Sequence, residues 1–159
     1  MEELLNPTSE VETSTEIAEQ APATPEERLS DLTQKRMGQF ELMISYADLK
    51  YIKNTLNSKI EWKGPNEAYL IVMTLLTLDQ ALESMDPKKV GSIKVSLPSS
   101  TIESINLFLN RITGKGIESA QKIFSIFMQL RQTLEAIKKI DQEIDHLQNE
   151  ISIKTEKNS

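Results

Sequence analysis

Along the last third of the chain the spacing of apolar residues changes. From Ala120 to Leu134 the residues Ile123, Phe124, Ile126, Phe127, Leu130 and Leu134 form a broad stripe, the kind a helix buries in a domain core. From Ile137 the stripe narrows. Ile137, Ile140, Ile144, Leu147 and Ile151 recur at alternating steps of three and four, an a/d seam with the period of a coiled coil. The pattern predicts one helix from Ile117 to about Ile153, whose residues 136–153 run past the domain as a coiled-coil extension. Such a seam needs a partner, either a second copy or the helix of another protein. With Ile137, Ile144 and Ile151 at a, and Ile140 and Leu147 at d, a parallel homo-oligomer is favoured. Residues 154–159 read as a disordered end.

Upstream, residues 24–135 read as a small helical domain. Thr24, Pro25 and Glu27 have the spacing of a capping box with proline at the first helical position, so a short helix runs from there to about Met37 before Gly38. Its apolar content is thin, Leu29, Leu32 and Met37, so it must pack on something larger. Phe40, Leu42 and Ile44 suggest an extended lead-in to a helix opened by Ser45 and Asp48, with Leu49, Ile52, Leu56 and Ile60 on one narrow face. Gly64-Pro65 turns into a helix reaching about Met85 that is apolar on most sides and therefore reads as the central helix. Ile93, Val95 and Leu97 alternate with Ser92, Lys94 and Ser96, marking an extended segment whose ladder partner is either Phe40–Ile44 or another chain. Ser100 and Glu103 offer a capping box for a further short helix with Ile102, Ile105, Phe108, Leu109 and Ile112 inward. The fold class that emerges is mostly α: a small helical bundle with one short extended segment, a disordered acidic N-terminal tail and a long C-terminal helix.

Charge separates the tail from the body. Residues 1–27 carry eight glutamates and no Lys or Arg, so they hold −8 of a net −6 and the remainder sums to +2. Residues 1–23 have no apolar period and read as disordered, with Leu4, Leu5, Val11 and Ile17 as the side chains that would touch a basic partner. No apolar run approaches a membrane span; Ala68–Leu78 is the longest and is too short. The acidic N-terminus lacks the basic and apolar regions of a signal peptide, which implies a cytoplasmic protein.

Chemistry is sparse. The chain has no Cys and one His, His146, on the polar side of the seam, which leaves no metal or cofactor site to expect. Gly114-Lys115-Gly116 lacks the spacing of a phosphate loop and reads as a turn. Glu67 and Asp79 are the two acids that could be buried on the central helix, and Glu67 is more simply a first-turn cap. No base or orienting group accompanies the hydroxyls, so no catalysis is expected. Lys88, Lys89, Lys94, Arg111 and Lys115 are the candidate phosphate contacts, but four arginines against fourteen lysines, interspersed with acids, favour a solvated surface. Trp62 and Tyr69 flank the glycine-proline turn as a candidate partner hot spot.

The run Lys63-Gly64-Pro65-Asn66-Glu67-Ala68-Tyr69 resembles short uncharacterised helical proteins of tailed bacteriophages, a likeness covering Ser45 through Leu76. It implies a phage-encoded or virion accessory protein, present in the host cytoplasm or the particle, and assigns no residue a role. The function expected from the sequence is a non-catalytic oligomerising adaptor or assembly protein. The alternative is a nucleic-acid-associated regulator using the lysine-rich surface.

Overall fold

The computed structural model describes residues 23–158. The elements follow in the order α1 (Pro25–Arg36), β1 (Gln39–Ser45), α2 (Tyr46–Ser58), α3 (Gly64–Glu83), β2 (Ser92–Pro98), α4 (Ser99–Leu109) and α5 (Ile117–Lys157). The tail residues Leu4, Leu5, Val11 and Ile17 lie outside the described residues.

Local signals set most boundaries. The Thr24 hydroxyl accepts from the Glu27 amide at 3.1 Å while the Thr24 amide donates to the Glu27 carboxylate at 3.2 Å, so the first capping box is complete. Ser45 accepts from the Asp48 amide at 3.1 Å and starts α2. The box expected at Ser100 and Glu103 does not form. Helix α4 begins at Ser99 without a side-chain cap, because the Ser99 hydroxyl donates to the Arg36 carbonyl at 2.8 Å and Glu103 is drawn to the Arg36 guanidinium.

The segment Phe40–Ile44 is a strand, and it supplies the ladder partner within the same chain. β1 pairs antiparallel with β2, setting Phe40 opposite Leu97, Leu42 opposite Val95 and Ile44 opposite Ile93. One face of this two-stranded sheet is apolar and packs inward; Glu41 and Lys94 stand on the other. The strands are joined through α2 and α3, so the sheet holds two distant parts of the chain together. Thr133 of α5 donates to the Glu41 carbonyl at 2.9 Å, fixing the long helix against the sheet.

The middle of the core is α4, not α3. Helix α4 buries Ile102, Ile105, Phe108 and Leu109 together with Ser99, Thr101 and Ser104. Around it stand α3, α5, β2 and α2. Helix α3 has only Ile71, Thr74, Leu78 and Leu82 buried, with Leu75 and Ala81 half-buried beside them. A domain of this size has no second layer with which to cover the opposite side, so α3 lies at its edge.

The C-terminal seam also differs from the expectation. Ile137, Ile140 and Leu147 are buried and Ile144 and Ile151 half-buried. Helix α1 packs on α5, with Leu32 against the core cluster and Arg28 beside Lys139, His146 and Leu147, so the seam is covered from within the chain. Arg36, at the end of α1, locks the arrangement: its Nε donates to Asp141 at 2.6 Å and its Nη2 to Glu103 at 2.9 Å. The hydrogen bond to Asp141, joined by the one to Glu103, holds the guanidinium pKa above its ordinary value against the opposing effect of burial. Ile137 and Ile140 belong to the buried cluster of the body, and Ile144 packs against it. Nor is the end a disordered one through Lys157, because α5 continues past Ile153 with Lys154 and Lys157 in the last turn, where cations suit the helix dipole.

Candidate functional site

Three groups of residues were marked by the sequence, and the structure treats each differently. Of the seam residues, Ile137, Ile140 and Leu147 are buried and Ile144 and Ile151 half-buried. They are not an open surface. The five basic residues are not gathered. Lys94 is near Glu41 at 3.7 Å, and Arg111 makes a forked pair with Glu67 at 2.9 and 3.0 Å while lying over the Phe108 ring. Lys88 and Lys89 follow the C-terminal end of α3, whereas Arg111 and Lys115 lie toward its N-terminal end. Those ends are about 30 Å apart in a helix of 20 residues. The aromatic pair, by contrast, is exposed, Trp62 at 57% and Tyr69 at 64% of full accessibility.

Tyr69 belongs to a larger feature. On the side of α3 opposite Ile71, Leu78 and Leu82, the residues Tyr69, Val72, Met73 and Leu76 follow the i, i+3, i+4, i+7 spacing of an apolar stripe. Val72 is 54%, Met73 43% and Leu76 52% exposed, and Leu70 stands at the margin. No charged residue occurs from Ala68 through Leu78. The nearest carboxylates are tied elsewhere in the chain: Glu67 to Arg111 in the turn after α4, and Asp79 to Lys53 of α2. The Arg111 hydrogen bond, seconded by the Lys63 amide at 2.8 Å, draws the Glu67 carboxyl below its usual range. The result is an electrically neutral apolar face several residues long, open to solvent, on a helix anchored by its other face.

A second apolar surface begins beside the α4–α5 turn. Phe124, expected in the core, is 63% exposed, and with Phe127 it edges a cavity of about 390 Å³ floored by Tyr51, Thr55, Ile112 and Ile123. The broad stripe of α5 is therefore split, Ile126 and Leu130 facing in and Phe124 and Phe127 facing the cavity. Lys59 is the cation among the residues that line it. Asp48 also joins α2 to α5, accepting from Lys122 at 2.5 Å and from Gln129 at 2.8 Å. Burial pushes the Asp48 carboxyl up, but the hydrogen bonds from Gln129 and Lys122 outweigh it and leave the group below its usual range.

Catalytic and metal chemistry find no constellation among the described residues. No three His, Asp or Glu side chains converge as metal ligands, and His146 stands exposed on α5 near Arg28 and Lys139. Among the described residues no helix is long and apolar enough to cross a membrane. The α3 face was missed as a site in the sequence because a helix apolar on most sides reads as a core helix. The signal that could have found it is the set of residues 69, 72, 73 and 76, which repeats on one side while 71, 74, 78 and 82 repeat on the other. The chain matches no protein-family model, no curated protein and no solved structure.

Proposed function

We propose that this protein is a non-catalytic oligomerising adaptor or assembly protein that works through helix–helix contacts. The observation that carries the reading is the exposed apolar face of α3. A contiguous apolar patch with neutralised flanks is a poor solvent surface and a good contact surface, and such patches on a folded chain mark interaction sites. The self-association expected from the seam is thereby transferred to a different helix, since α1 occupies the seam. The likeness to tailed-phage helical proteins spans Ser45 through Leu76 and so includes this face, and an accessory role in a virion or its assembly is the setting it suggests. The nucleic-acid reading gains no comparable support: Lys94 and Arg111 are near acids of the same chain.

Light scattering across a salt series tests the reading. A mass above that of the 18.0 kDa chain, retained or raised at high salt, is expected, because apolar contacts do not depend on counterions. A mass of one chain at tens of micromolar throughout the series would contradict it.

A further inference from the structure

The exposed stripe of α3 has a symmetry of its own. Tyr69, Val72, Met73 and Leu76 are arranged evenly about the bond between Val72 and Met73. Turned end for end, the stripe superposes on itself, with Tyr69 meeting position 76 and Val72 meeting position 73. A surface that maps onto itself under a two-fold rotation is what an isologous dimer requires.

From this we infer that α3 is a dimerisation helix that packs antiparallel against α3 of a second copy of this chain, the two-fold axis passing between Val72 and Met73; the inference rests on the reading of the protein as a self-associating adaptor. Charge at the ends of the helix selects the orientation. Lys63 precedes α3 and Glu83 closes it, and both are exposed. An antiparallel pair brings the Lys63 of each copy toward the Glu83 of the other and opposes the helix dipoles, whereas a parallel pair stacks Glu83 on Glu83 and Lys63 on Lys63. Along the contact nothing repels, because the stretch from Ala68 to Leu78 is uncharged and Glu67 and Asp79 are already paired within each copy. Trp62, exposed at the N-terminal end of α3, lies where the C-terminal end of the second helix arrives. Tyr69, Leu70, Val72, Met73 and Leu76 expose roughly 450 Å² per copy, and Trp62 brings the pair to about 1,200 Å², the lower edge of specific interfaces. An interface at that edge is a small one, and the dimer should dissociate on dilution.

Because the chain has no cysteine, single introduced thiols report the geometry without background. Tyr69→Cys and Leu76→Cys chains are oxidised separately and as an equal mixture at about 50 µM. Both positions are exposed, so neither thiol disturbs the core. The mixture is expected to yield a disulfide-linked dimer of unlike chains at least five-fold above either chain alone. Tyr69→Cys linking to itself as well as in the mixture would mean a parallel pair and overturn the inference. Absence of any link while the wild-type chain scatters as a dimer would also overturn it, by moving the contact elsewhere, and leave the adaptor reading standing. A wild-type monomer at that concentration would overturn both and leave the α3 face to the helix of a different protein.

Discussion

Leu76 and Leu78 sit two positions apart on α3 and differ completely in surroundings, 52% and 0% exposed. Leu78→Ala should cost roughly 2–5 kcal/mol in urea unfolding, since a fully buried leucine leaves a cavity behind. Leu76→Ala should cost under about 1 kcal/mol when measured at dilutions where the chain is monomeric. Equal costs at the two sites would show that the outer face is covered. Asp48 is the second residue with a definite forecast. Its folded pKa lies below the unfolded value, so its contribution is present above about pH 4 and is lost as pH falls through the folded pKa. Asp48→Asn should therefore destabilise the chain by on the order of 1 kcal/mol at neutral pH, with the difference from wild type closing as the pH drops below about 4. A difference that does not vary with pH would show that packing, not the carboxylate, matters there. Some residue-scale features are legible in the sequence because they are local: the Thr24–Glu27 box forms as its spacing says. The Ser100–Glu103 box does not, because Ser99 and Glu103 find partners on α1 that lie far away in sequence.

At the scale of elements, α1 decides what the C-terminal seam can do. The seam itself was legible as a 3.5-residue repeat, but its occupant was not. Leu29 and Leu32 are a weak apolar signal, and the contacts that anchor α1, Arg36 with Asp141 and Glu103, join residues that only the fold brings together. Likewise α4 hid its central place behind Ser99, Thr101 and Ser104, hydroxyls that read as surface and are buried. Leu32→Asp should undock α1, because it sets a charge against the apolar seam. Hydrogen exchange should then quicken in α5 between Ile137 and Ile151 and stay unchanged at Ile126 and Leu130. Unaltered exchange across the seam would mean that α1 is not what protects it.

For the whole molecule, the balance between an acidic tail and a near-neutral body matters less than where the body leaves apolar surface uncovered. A helix apolar on most sides implied a core large enough to surround it, and this chain builds a small one with α4 in the middle. The excess apolar surface of α3 is consequently turned outward. Helix content, the long last helix and the extended segment at residues 92–98 could be read from periodicity, which is a property of each segment alone. The candidate site could not, because exposure depends on how many layers the fold has. On the proposal made above, the outer face of α3 holds copies of the chain together. Sedimentation of the wild-type chain and of Met73→Glu, each over a dilution series, tests it most directly. The wild-type chain should sediment as a dimer that dissociates on dilution and the variant as a monomer throughout with its helicity intact; a variant that sediments as the wild type does, or a wild type that is monomeric at about 50 µM, would contradict dimerisation through α3.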